Sequence, residues 1–314
     1  MLAVRCTFPA PGTPLDCAVS GGADSLALLI LATTAGCQVT AWHVDHGLRP
    51  GSDADASVVE AVAARYGAAF CARRVDVGPG PNLEDRARRA RFGVLPPGVA
   101  TGHTADDQAE TVLLALLRGA GLDGLTGMGR PSHPLLGLRR SDTVALCAEE
   151  GLAPLTDPSN ADAAFRRNRV RHELLPLAAE IAGRDVVPLI ARAAALLGAD
   201  GEVLDGIACG VDPTDADALA AAPLALARRA VRAWLAGATP SGYPPSAGAV
   251  ERVLRVARGE AVACEVAGVG RVRRHRRRLL LEGAGGGPHV ERAAGRHVDG
   301  VGGGRHVDPP VGAE

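Results

Sequence analysis

Six residues, Ser20-Gly21-Gly22-Ala23-Asp24-Ser25, join two apolar runs, and that junction limits the folds open to this chain. Residues 15–19 before it predict a short buried strand, and residues 26–31 after it predict the start of a buried helix with no breaker. Two glycines at a strand-to-helix turn let the backbone bend tightly and approach a ligand without a Cβ in the way. The amides of such a turn, at a helix N-terminus, carry partial positive charge and form an anion site. Ser20 and Ser25 add hydroxyl donors, and Asp24 adds a hard oxygen suited to Mg²⁺. The plainer reading is that Asp24 or Ser25 only caps the helix. The segment lacks both the Gly-Lys-Ser/Thr ending of a Walker A loop and the Gly-x-Gly-x-x-Gly spacing of a dinucleotide site.

Downstream, the strand-to-helix alternation repeats. Strands are expected at 38–44, 69–75 and 98–101, and helices at 53–66, 82–92 and 104–118, with Ser52 or Asp53 and Asn82 as caps and Gly119 and Gly121 as a stop. Strand and helix alternating at this spacing imply right-handed crossovers, hence an α/β, doubly wound, Rossmann-like parallel sheet with helices on both faces. Ligands sit beyond the C-terminal ends of such strands. Three polar clusters fall there: 20–25, His43 to His46, and Gly102 to Asp107. Beyond about residue 185 the chain is alanine-rich and helical at 186–205, 215–236 and 246–257, with a hairpin over 261–282. The expected division is a catalytic domain over 1–182, a smaller, mostly helical domain over 183–283, and a disordered tail over 284–314, rich in Gly, His and Pro.

Composition narrows the classes. A net charge of −1 with 47% hydrophobic residues argues for a globular protein rather than a wholly basic nucleic-acid binder, although local patches matter more than the total. All 34 basic residues are arginine. The seven cysteines form no C-x-x-C pair, which argues against a disulfide framework or zinc knuckle. With no signal-peptide pattern and no apolar run long enough for a bilayer, a cytoplasmic protein without membrane contact is expected.

Three further segments carry charge at telling spacings. In Gly102-His103-Thr104-Ala105-Asp106-Asp107-Gln108-Ala109-Glu110-Thr111, the offsets of three and four residues put Asp106, Asp107 and Glu110 on one face of a helix's first turns. Helix-dipole complementarity explains some of this acidity. Three carboxylates and a histidine exceed that need, and suit Mg²⁺, with Asp106 beside Asp24, or the ammonium of an amine substrate. Residues 82–92 form a charged helix whose plain reading is a solvated face with pairs such as Glu84 to Arg88. Arg166, Arg167, Arg169 and Arg171, and then Arg273, Arg274, Arg276 and Arg277 within the run 271–278, are candidates for RNA phosphates.

The 20–25 segment resembles the S-G-G-x-D-S loop of the PP-loop ATP pyrophosphatases. V-D-H-G-L-R at 44–49 with Ser52 and Asp55, G-H-x-x-D-D-x-x-E-T at 102–111, and D-P-S-N at 157–160 followed by R-N-R-V-R-H-x-L-L-P at 167–176 resemble tRNA(Ile)-lysidine synthetases. That resemblance spans roughly residues 13–180 and implies ligation of L-lysine to the wobble cytidine of the CAU anticodon of isoleucine tRNA. ATP and Mg²⁺ are consumed through an adenylated C2 oxygen, and codon reading moves from AUG to AUA. It further implies that Ser20, Gly21, Gly22, Ala23, Asp24, Ser25, His43 and Asp45 hold ATP. Asp107 and Glu110 would grasp lysine, His103 would stand near the reacting groups, and Arg88 would steady phosphate charge. The oligomeric state stays open, a homodimer included. The rival readings are another PP-loop tRNA-modifying enzyme, such as a thiolase, whose usual paired cysteines are absent here, and a non-catalytic nucleotide sensor.

Overall fold

The computed structural model describes residues 2–45, 47, 53–76, 78, 83–129, 132–155, 165–239 and 245–283. His46, Arg49, Ser52, Asn82, the 157–160 stretch and the tail from 284 lie outside them, as do the side chains of Glu84 and Arg88. Two compact units divide the chain, Met1–Val203 and Leu204–Glu314.

In the first unit the expected alternation is present: β1 (Pro14–Ala18), α1 (Ala23–Thr34), β2 (Gln38–Asp45), α2 (Asp53–Arg65), β3 (Ala69–Arg74), α3 (Leu83–Val94), β4 (Ala100–Thr101) and α4 (Ala105–Leu117). All strand pairs are parallel, in the order β3-β2-β1-β4. Cys17 pairs with Ala41 on one side and Ala100 on the other, so β1 lies inside the sheet. The chain winds outward from β1 to β3 and then returns to β1's free edge. The order therefore reverses between β1 and β4, where such sheets open a crevice. Both the 20–25 turn and the 102–111 segment leave the sheet at that point. Cys17, Val19, Leu26, Leu28 and Leu29 are almost wholly inaccessible. At about 1.5–3 kcal/mol for each fully buried leucine, α1 is firmly seated against the sheet.

Two helices stand where none was singled out: α5 (Leu122–Leu125) and α6 (Arg140–Glu149). Leu135 and Leu138, just before α6, join the sheet core, and the Leu138 carbonyl accepts from the Ala105 amide at 2.8 Å. Further on, α7 (Arg166–Arg169) runs through a π-helical turn, Val170–Leu174, into α8 (Leu175–Ala182). The widening has a local cause. Pro176 lacks an amide hydrogen, and its ring would strike the carbonyl four residues back in a regular helix. Val170 and Leu175, five apart, both enter a core with Ala105 and Ala109 of α4. In an unbroken α-helix they would lie about 140° apart around the axis. Next in the chain is α9 (Val187–Ala208), and the division between units falls inside it, not at 182/183.

The second unit holds α10 (Ala216–Ala221), α11 (Leu224–Gly237), α12 (Ala247–Ala257) and an antiparallel sheet of β5 (Ala263–Val266), β6 (Gly270–His275) and β7 (Arg278–Glu282). The helix expected over 215–236 is two helices. Pro223 forces Ala222 out of helical geometry (ψ 149°) and supplies no donor. The hairpin expected over 261–282 is a three-stranded meander, whose second turn holds Arg276 at φ 55°. Val231, Leu235, Val253, Leu254, Val272 and Leu279 form this unit's own core.

Candidate active site

The 20–25 turn is closed by its own side chains. Ser25 Oγ donates to the Gly22 carbonyl at 2.8 Å and accepts from the Ser20 amide at 3.1 Å, with Ser20 Oγ 3.2 Å away. Gly21 sits at φ 89°, where any side chain would be strained, and a Cβ there would also push against Leu155 Cδ1, 2.4 Å away. Gly22 is the N-cap of α1 and offers no side-chain cap. Neither Asp24 nor Ser25 caps the helix, so no side chain takes up its first amides, which are of the kind that receives an anion. Close by, His43 is buried, and its Nδ1 donates to the Val19 carbonyl at 2.9 Å, fixing the ends of β1 and β2 together. Asp45 Oδ1 accepts from the Gly47 amide at 2.8 Å.

Gly102 brings α4 against this turn. A Cβ there would stand 2.4 Å from the Asp24 carbonyl oxygen, so the two backbones touch. Asp107 then serves twice. Its Oδ2 accepts from the Thr104 amide at 2.9 Å and caps its own helix, while its Oδ1 faces the crevice and accepts from Arg140 at 2.9 Å and Arg167 at 3.0 Å. Glu110 is fully buried. It accepts from Arg167 Nε at 2.6 Å, Arg171 Nε at 2.6 Å and Arg171 Nη2 at 3.1 Å, with Arg140 Nη1 at 3.4 Å. Asp24 accepts from Arg140 Nε at 3.2 Å and from the Thr143 hydroxyl. Three carboxylates and three guanidiniums thus form one cluster of zero net charge.

Burial pushes Asp24 above the ordinary carboxylate range, against the pull of Thr143 and Arg140. Burial acts in the same direction on Asp107, but Arg140 and Arg167 prevail and hold it below that range. Asp106 is also held low, because hydrogen bonds from Arg139 outweigh its burial. Its oxygens accept from Arg139 Nε at 3.0 Å, Arg139 Nη2 at 2.9 Å and the Arg140 amide at 2.8 Å. That arrangement leaves Asp106 poorly placed to serve as the magnesium ligand expected from sequence. It clamps the start of α6 instead. His103 Nδ1 lies 2.7 Å from Thr101 Oγ1 and 3.1 Å from His133 Nδ1, with the two rings edge to face.

Helical phase sorts the arginines expected at RNA. Arg167 and Arg171, four apart, turn into the acidic cluster, whereas Arg166 is exposed and Arg169 pairs outward with Glu173 at 2.8 Å. In the second unit Arg274 Nη1 donates to the Ala257 carbonyl at 2.7 Å and finishes α12. Arg277 meets Asp217 at 2.5 Å and stays largely exposed, Arg273 pairs with Glu282, and Arg276 occupies the β6–β7 turn. Sequence reasoning missed Arg139, Arg140, Thr143 and His133. The one available signal was Asp142, three residues after Arg139, whose carboxylate accepts from the Arg139 amide at 2.8 Å as a helix-start mark. It also passed over Arg86, whose Nε and Nη1 are buried with no hydrogen-bond partner.

A PP-loop domain model matches residues 8–178, and a TilS substrate binding domain model matches residues 215–280. The chain is 47% identical over 246 residues to tRNA(Ile)-lysidine synthase of Nocardia farcinica, covering 73% of this chain and 77% of the relative. The Rhodococcus erythropolis enzyme of that name is 46% identical over 235 residues (69% and 72% covered), and that of Mycobacterium bovis 39% identical over 267 (77% and 81% covered). With both domain models matched and identity of this level over most of each chain, the chain belongs to the tRNA(Ile)-lysidine synthase family.

Proposed function

We infer that this chain uses ATP to form lysidine at the wobble cytidine of isoleucine tRNA. The cytosine C2 oxygen attacks the α-phosphorus of ATP and pyrophosphate leaves. The side-chain amine of lysine then attacks C2, AMP leaves, and the amine's proton passes to the medium. The observation that carries the reading is the meeting of the nucleotide turn and the acidic turn at the sheet's reversal point, with Asp24, Asp107 and Glu110 on one guanidinium.

The uncapped amides of α1 and the Ser20 hydroxyl receive the triphosphate, and His43 and Asp45 border the nucleoside side. The base to be modified lies in a single-stranded loop, so it can be turned out and read on its edge. Arg86 and Arg88 of α3 are suited to phosphate charge, and the two orphaned nitrogens of Arg86 favour an anion nearby. Magnesium brought by a triphosphate needs only one or two protein carboxylates. Asp24, on the nucleotide turn, fits that role, and the ion would offset charge on the phosphates. Asp107 and Glu110 receive the lysine ammonium, with His103 close by. The cluster is already neutral, so the incoming cation must displace a guanidinium. Arg167 and Arg171 are suited to that exchange, since tRNA phosphates offer them other partners.

The test is incubation with isoleucine tRNA transcript, MgATP and labelled lysine. Label enters the tRNA, pyrophosphate release requires tRNA and continues beyond one turnover only with lysine, and Asp24→Ala or Glu110→Ala abolishes incorporation. Sustained, multiple-turnover pyrophosphate release indifferent to lysine would return the chain to one of the rival readings.

A further inference from the structure

We propose that Arg140 is the positioning residue that joins the nucleotide half of the site to its amine half. The proposal rests on the reading that Asp107 and Glu110 receive the lysine ammonium. Arg140 uses three nitrogens on three acids from two elements: Nε on Asp24 of α1, and Nη2 on Asp107 and Nη1 on Glu110 of α4. Among the described residues it is the sole cation paired with Asp24. Arg167 and Arg171 reach only Asp107 and Glu110.

The backbone under Arg140 is fixed from several sides. Its amide is held by Asp106, and the preceding Arg139 grips both oxygens of that same carboxylate. Leu138, two residues back, is fully buried and bonded to the start of α4. Thr143, one helical turn on, takes the other oxygen of Asp24. When an ammonium enters the neutral cluster and one guanidinium must leave, Arg140 stays, because its departure would strip Asp24 of its cation and loosen the nucleotide turn. It therefore sets the separation between the acid near the phosphates and the acids near the nucleophile, a separation on which in-line ligation depends steeply. A lysine at this position would restore the charge but not the fork, since a single ammonium cannot reproduce three divergent planar donors.

The experiment is steady-state kinetics of Arg140→Lys, Arg140→Met and Thr143→Val, varying ATP, lysine and tRNA in turn, alongside thermal melts. Arg140→Lys is expected to melt close to the parent yet raise KM for both ATP and lysine by about tenfold or more, with KM for tRNA little changed. Thr143→Val, which of the three acids disturbs only Asp24 and beyond it loses only a bond to the Arg140 carbonyl, leaving the guanidinium fork in place, should raise KM for ATP alone. Arg140→Met should show the same double effect as Arg140→Lys, and if it fails to fold, Arg140→Lys and Thr143→Val still decide the matter. Parent-like KM values for both substrates in Arg140→Lys would overturn the proposal, as would a fall in kcat with neither KM moved. Failure of the parent protein to incorporate lysine would instead overturn the functional reading beneath it.

Discussion

At the scale of single residues, the site is built from acids that do two jobs. Asp107 caps α4 with one oxygen, as the plain reading of that aspartate has it, and its other oxygen joins the arginine cluster. The motif residues 20–25, Asp107 and Glu110 were legible because each belongs to a short contiguous pattern. Arg140 was not. It reaches Asp24 across 116 positions of sequence, and nothing local distinguishes it from Arg139 beside it. Asp106 shows how a correct location can carry a different role. It was legible as an acid at the site, but its partner Arg139 was not. Its depressed folded-state pKa has a signed consequence. A carboxylate held below its unfolded value of about 3.9 stabilises the fold above that pH and loses the contribution as pH falls through the folded value. Asp106→Asn should therefore melt below the parent at neutral pH, with the gap closing below about pH 4. A gap that stays constant from about pH 7 to about pH 3 would remove the charge of Asp106 from the explanation.

At the scale of elements, the alternating strands and helices of the first unit were readable because each buries a stripe or run of apolar side chains. The helix α6 offers no such stripe. Its buried residues are Thr143 and Cys147, and it is located by ion pairs and by the leucines ahead of it. The break in 215–236 was in plain view as Pro223, yet alanine content on both sides outweighed it. If α6 is held by the Asp106–Arg139 pair, a double-mutant cycle of Asp106→Asn and Arg139→Gln should give a coupling of about 0.5–3 kcal/mol in unfolding free energy. Strict additivity would mean that Leu135 and Leu138 alone set its place.

Across the whole molecule, near-zero net charge conceals local segregation of arginine between inward and outward roles. Arg166, Arg169, Arg273 and Arg277 are free of the acidic cluster, and the partners of the last three are surface carboxylates, whose ion pairs contribute about 0–1 kcal/mol and do not withhold them from phosphate. Arg166→Ala and Arg277→Ala should weaken tRNA binding and each lower the slope of log affinity against log salt by about one, leaving KM for ATP unchanged. An unchanged salt slope would exclude that arginine from the RNA contact. Among the described residues no helix is long and apolar enough to cross a membrane.

The wide turn at Val170–Leu174 shows how one stretch of chain serves two masters. A uniform spiral would have to trade the aim of Arg167 and Arg171 against the seating of Leu175, because every position in it shares a single phase. A slackened winding between them decouples the two bearings. Rewinding the same residues at ordinary pitch would carry Leu175 about 140° round from Val170 and swing the guanidinium pair and the apolar anchor out of mutual alignment, even with every side chain retained.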